Sequence, residues 1–169
     1  SFAGPDAAVD SAGTSGCAPY CITGPLRRDR TITIESPTSQ YLSALLLAAP
    51  LIPGPKPEPG SPAVPEPTTI NVALLNEHPY VDMTCWWLEQ QNITFHRDGY
   101  DRFVIPSGQH YRPLSTRLPG DYSSATFWFC AAALTGTAVT VHGLAPDDVQ
   151  GDKGAVSYTH LTLPTKRIV

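Results

Sequence analysis

The apolar residues change their period several times along the chain, and each change marks an element. Thr31–Glu35 (TITIE) alternates Thr and Ile, the period of a half-buried strand. Ser36-Pro37-Thr38-Ser39 then supplies helix-starting chemistry. Gln40–Ala49 (QYLSALLLAA) is apolar nearly all round, which predicts a buried helix ending before Pro50. Thr69–Leu74 (TINVAL) reads as the next strand. Pro79 suits a first helical position, where its missing N–H is not needed. Tyr80–Gln91 follows it as a helix, with Val81, Cys85, Trp86 and Leu88 on one stripe. Ile93–His96 and Arg102–Ile105 both alternate about the turn pair Asp98-Gly99, which predicts a hairpin. Thr31–Ile105 therefore spells strand, helix, strand, helix, strand, strand. Upstream, Ser1–Gly16 has no period and Pro19–Gly24 is a short strand candidate. Downstream, a second unit is expected: a strand near Thr116–Leu118, a helix Ser123–Leu134 and a strand Ala138–Val141. Asp121 is placed to cap that helix and Gly136 to stop it. Both units contain helices apolar on every side, so burial on more than one helix face is expected.

Composition changes the picture at two places. Pro50–Pro67 carries eight prolines in eighteen residues and predicts an extended surface loop. At the other end, Val156–Thr165 (VSYTHLTLPT) resembles the translation of a transposase-based sequencing adapter. Val156–Val169 is therefore expected to be foreign, making few native contacts. The full chain of 169 residues has a formal net charge of −4. Without Lys166 and Arg167, nine basic and fifteen acidic residues leave −6. The basic residues are scattered, apart from Arg27, Arg28 and Arg30, which argues against nucleic-acid binding. No apolar run approaches the roughly 20 residues of a membrane helix.

The βαβαββ order with buried helices resembles the enolpyruvyl transferase fold. Five motifs in order resemble the 5-enolpyruvylshikimate-3-phosphate (EPSP) synthase family: Ser36–Pro50 (SPTSQYLSALLLAAP), His78–Thr84 (HPYVDMT), Phe103–Tyr111 (FVIPSGQHY), Leu118–Gly136 (LPGDYSSATFWFCAAALTG) and Val149–Lys153 (VQGDK). The resemblance implies an α/β inside-out barrel of βαβαββ units, here incomplete. It implies an internal fragment: residues 1–118 as the latter part of one domain, 119–155 as the start of the other, and 156–169 as the adapter-like tail. The implied activity is transfer of the enolpyruvyl group of phosphoenolpyruvate to the 5-hydroxyl of shikimate 3-phosphate, with release of phosphate. The resemblance further implies a cytoplasmic enzyme (or a plastid one in a eukaryote), monomeric at full length, needing no cofactor or metal. A UDP-N-acetylglucosamine enolpyruvyl transferase, or a non-catalytic domain of the same fold, is the alternative.

Both substrates are anionic, so their site calls for cations, hydroxyls and helix N-termini. Thr38, Ser39 and Gln40 match the family's Ser-Ser-Gln and stand where a helix begins, with free N–H groups and short hydroxyls. Plain helix capping is what those residues suggest without the resemblance. The resemblance makes Thr38, Ser39, Gln40 and Tyr80 shikimate 3-phosphate ligands, and Gln40 a phosphoenolpyruvate ligand as well. It puts the family's catalytic acid and base in segments other than these. Glu77 departs from the usual Ser and brings a carboxylate towards a phosphate site; His78 replaces a frequent Lys or Arg. The remaining candidates carry little. Cys17 and Cys21 lack a second pair at zinc spacing. Cys85 and Cys130 sit on apolar helix faces and are expected in the core. His96 and His110 are expected at the surface. Asp147, Asp148 and Asp152 lack calcium-loop spacing.

Overall fold

The computed structural model describes residues 8–11, 20–23, 31–53 and 66–156. Two short strands, β1 (Ala8–Ser11) and β2 (Tyr20–Thr23), pair antiparallel. The alternation in TITIE becomes β3 (Thr31–Ser36), whose isoleucines are half-buried because it is an edge strand. The apolar run becomes α1 (Ser39–Ala48), continued by a 3-10 turn at Ala49–Leu51. Next come β4 (Pro67–Leu75), α2 (His78–Gln90), β5 (His96–Asp98) and β6 (Arg102–Pro106). The four strands β3 to β6 form one sheet in the order β3-β4-β6-β5. β3 and β4 are parallel, and β6 lies antiparallel to both of its neighbours. This is the expected βαβαββ order, on a mixed sheet.

The core lies between one face of that sheet and the two helices. Ile70 and Val72 of β4 and Phe103 and Ile105 of β6 face Leu42, Leu45, Leu46, Val81, Cys85 and Leu88. Each buried side chain of this size contributes roughly 1.5–3 kcal/mol relative to exposure. The helices are buried on one face only, contrary to the expectation. Tyr41 and Leu47 of α1 are exposed, and Trp86 is only half-buried. The described residues place a single sheet against the helices, which covers one side of each.

α3 (Tyr122–Thr135) starts and stops as its sequence predicts. The Asp121 carboxylate accepts from the Ser123 and Ser124 amides, and Gly136 takes the left-handed conformation (φ 65°) that closes the last turn. Its flanks differ from expectation. Thr116–Leu118 and Ala138–Val141 are not strands but irregular connections; no described neighbouring strand pairs with them. Cys130 is exposed rather than in the core, because α3 buries only Tyr122, Ala125 and Ala132. His96 and His110 are exposed, as expected. Val156, which the sequence assigns to the foreign tail, is buried, so this first tail residue does pack on the described chain. Residues 54–65 of the proline-rich segment, and the tail from 157 on, lie outside the described residues, as does Cys17. Among the described residues no helix is long and apolar enough to cross a membrane.

Candidate functional site

Two parallel strands, each followed by a helix, put both helix N-termini at the same edge of a sheet. In open α/β sheets that edge is the usual place for a ligand. Here β3 ends at Ser36 and α1 begins at Ser39; β4 ends at Leu75 and α2 begins at His78. Thr38, Ser39, Gln40 and Tyr80 therefore share one edge by topology. The approach to α1 is fixed by Ser36, which is fully buried. Its Oγ donates to the Thr38 carbonyl at 2.6 Å and accepts from the Leu42 amide at 3.2 Å. From the other strand end, Asn76 Nδ2 donates to the Pro37 carbonyl at 3.0 Å. Deeper in, the Ser43 and Thr84 hydroxyls, 2.8 Å apart, join α1 to α2.

The start of α1 is already engaged by a side chain of the protein itself. Thr38 holds the N-cap position of α1 but makes no capping bond with its side chain. Its Oγ1 is out of solvent and has no hydrogen-bond partner. The capping is done across the sheet edge by Glu77. One Glu77 oxygen accepts from the Ser39 amide at 2.8 Å and from the Ser39 hydroxyl at 2.8 Å. Those bonds hold the Glu77 carboxyl below its ordinary range. Glu77 is itself the N-cap residue of α2, yet it makes no cap bond there. Gln40 is exposed at the rim of the cradle.

Tyr80 is likewise engaged. Its hydroxyl donates to Asp152 at 2.7 Å, and the same carboxylate oxygen accepts from the Ser123 hydroxyl. The hydrogen bond to Asp152 is the main reason the Tyr80 phenol is pushed above its ordinary value. Asp152 thus ties the start of α2 to the start of α3, a role that spacing alone did not reveal. A close approach makes the tie possible. A Cβ on Gly151 would fall 2.5 Å from the Pro79 Cβ, so only glycine lets this loop lie on α2.

His78 does not face the cradle. It stacks on Tyr100, with ring centroids 4.2 Å apart. Tyr100 in turn donates to Asp82 at 2.6 Å, and Arg97 pairs with the same carboxylate. Partial burial works to raise the Asp82 pKa, but the Arg97 and Tyr100 hydrogen bonds outweigh it and the carboxyl lies below its ordinary range. Gln109, from the hairpin-end motif, clamps Thr94 through both its amide and its carbonyl, at 2.7 and 2.8 Å. Gln150 does the same between Tyr122 and Gly120, at 2.9 Å each. Many of the motif residues are thus cross-links of the fold.

Residues 2–160 match the family model for EPSP synthase (3-phosphoshikimate 1-carboxyvinyltransferase). The chain belongs to that family. Relatives named 3-phosphoshikimate 1-carboxyvinyltransferase include one from Acetivibrio thermocellus, 44% identical over 139 residues, covering 82% of this chain and 30% of the relative. One from Ruminiclostridium cellulolyticum is 37% identical over 123 residues, covering 73% and 26%. One from Methanococcoides burtonii is 35% identical over 156 residues, covering 89% and 34%. The chain spans about 30% of the length of the curated relatives it matches. These names do not favour the UDP-N-acetylglucosamine alternative.

The EPSP synthase family chain also has a cleft of about 640 Å³ lined by Met83, Trp86 and Trp87 of α2 and by the segments holding Leu118 and Leu144. It shares no lining residue with Thr38, Ser39, Gln40 or Tyr80, so volume does not mark the cradle. Among the described residues no group of three His, Cys, Asp or Glu could hold a metal ion.

Proposed function

We propose that this chain supplies the shikimate 3-phosphate side of an enolpyruvyl transferase site. The full-length enzyme transfers the enolpyruvyl group of phosphoenolpyruvate to the 5-hydroxyl of shikimate 3-phosphate. A carbon–oxygen bond to the hydroxyl replaces the one to phosphate, and phosphate leaves with the hydroxyl proton. Thr38, Ser39, Gln40 and Tyr80 bind shikimate 3-phosphate, and Gln40 also reaches phosphoenolpyruvate. The observation that carries this reading is the convergence of the α1 and α2 N-termini at one sheet edge, with Thr38 and Ser39 at the start of α1 and a phenol on α2. Family membership and the names of the relatives support the reaction. In this reading residues 1–118 belong to one domain and 119–155 begin the other, in an inside-out barrel. The enzyme is a cytoplasmic monomer, with no cofactor, metal, nucleic acid or membrane involved.

Transition-state stabilisation in such a transfer depends on charges placed at the reacting carbon and phosphate. Thr38, Ser39, Gln40 and Tyr80 bring none. This chain alone is therefore expected to release no phosphate from phosphoenolpyruvate plus shikimate 3-phosphate, and the completed gene product is expected to do so. Turnover by the chain alone, or none by the completed enzyme, would refute the assignment. In the active enzyme, Ser39→Ala and Gln40→Ala should each weaken shikimate 3-phosphate; unchanged affinity would remove those residues from the site. The Glu77 carboxylate on Ser39 favours a second reading, a non-catalytic member of the fold, which turnover by the completed enzyme would exclude.

A further inference from the structure

We propose that Glu77 is a resident anion of the α1 cradle, an autoinhibitory contact that a phosphate monoester must displace before it can bind. The inference rests on the site proposed above and adds what controls entry to it. Three observations meet here. The Glu77 carboxylate takes both donors of Ser39, its amide and its hydroxyl, which are the donors an incoming phosphate oxygen would use. Glu77 leaves its own helix uncapped to do so. The Thr38 hydroxyl, at the N-cap position next to Ser39 in the chain, is out of solvent and unpartnered, a donor that the carboxylate does not use. A carboxylate oxygen can satisfy Ser39 but leaves Thr38 idle. A tetrahedral phosphate has further oxygens for Thr38. The two anions cannot share the Ser39 amide, so their binding is mutually exclusive.

Removing the carboxylate should therefore free the cradle. The test uses the 169-residue chain, labelled for amide spectra, with inorganic phosphate and separately with shikimate 3-phosphate as probes. Wild type, Glu77→Ser and Glu77→Gln are compared through the Ser39 amide signal. Both variants should bind inorganic phosphate about tenfold or more tightly than wild type, since a charge-assisted competitor has been lost. Adding Thr38→Val to Glu77→Ser should reverse part of that gain. Glu77→Gln keeps the size of the side chain and an acceptor for Ser39, so it serves if Glu77→Ser disturbs the fold. A merely structural cap predicts the opposite: lower stability and no gain in phosphate affinity. Affinity equal to or weaker than wild type in the folded variants overturns the inference. Tighter inorganic phosphate with no preference for shikimate 3-phosphate would uphold the inference and count against the substrate assignment. Shikimate 3-phosphate binding equally to wild type and Glu77→Ser would do the reverse.

Discussion

The individual residues of the cradle are defined by which partner has claimed their hydroxyl. Tyr80 resembles a free ligand in sequence, yet its phenol is bound to Asp152. Tyr80→Phe should cost about 1 kcal/mol or less, since a hydrogen bond to a charged group is partly screened at this half-exposed position. The raised phenol pKa gives that cost a direction in pH. Its contribution is complete below the unfolded tyrosine value of about 10 and is lost as pH rises through the folded value. Urea unfolding of wild type and Tyr80→Phe should therefore show a gap at pH 7 that closes in strong alkali. A gap that widens there would contradict the Asp152 tie. Gly151→Ala should act on the same tie from the other side, because its methyl meets Pro79. It should return the Tyr80 phenol towards its ordinary pKa in an ultraviolet titration. The cysteines separate just as sharply. Burial pushes the Cys85 thiol up to about 11, whereas Cys130 is exposed. Alkylation at pH 8 followed by peptide mapping should label Cys130 in the folded protein and leave Cys85 for the denatured one. Equal rates would mean that α2 does not bury its stripe.

At the level of elements, the sequence was legible wherever periodicity and capping agreed. TITIE, TINVAL and the Tyr80 helix each lie within a residue or two of their observed bounds. Asp121 and Gly136 bracket α3 because capping is local chemistry, independent of the rest of the fold. Strands fared worse when they needed partners. Thr116–Leu118 and Ala138–Val141 have strand-like composition, but a strand exists only through its neighbours. β1 was missed for the converse reason: AVDS has too little period to announce itself, and only pairing with β2 makes it a strand. The cradle was half legible. Thr38, Ser39 and Tyr80 stand where motif order placed them, but Glu77 on Ser39 and Asp152 on Tyr80 are contacts between separate elements, with no spacing signature. The local cap gives a direct prediction. The Ser124 hydroxyl and the Ser123 and Ser124 amides hold the Asp121 carboxyl below its ordinary range. Its stabilisation of α3 is thus present above the unfolded value of about 3.9 and lost as pH falls through the folded one. The protection of the α3 amides, measured against their intrinsic exchange rate at each pH, should fall on acidification, and Asp121→Asn should flatten that dependence. A pH-independent α3 would show that the carboxylate does not act as the cap.

For the whole molecule, the distribution of apolar surface is the unresolved tension. α3 is apolar around its full circumference, yet Phe127 is 78% exposed, Trp128 63% and Leu134 88%. Tyr41 and Leu47 leave a second apolar surface on α1. Soluble chains seldom leave large contiguous apolar patches open, and such patches drive association. Relatives of the family are about three times longer than the matched part, and the proposed inside-out barrel would bury these helix faces under further units. Alone, the 169-residue chain should therefore self-associate through α3, without needing the cradle to be disturbed. Sedimentation should show a concentration-dependent shift to larger species, with tryptophan fluorescence moving to the blue as Trp128 leaves water. Phe127→Ser with Leu134→Ser should suppress that association while leaving the βαβαββ unit folded, because neither residue packs in the core of Ile70, Phe103 and Leu88. In the completed enzyme the same pair of changes should have the opposite consequence. There each side chain would be buried, and its loss should cost several kcal/mol, as large-to-small core substitutions do. A double variant that is harmless in both settings would mean that α3 is a surface helix in the full-length protein, and the proposed barrel would have to be abandoned.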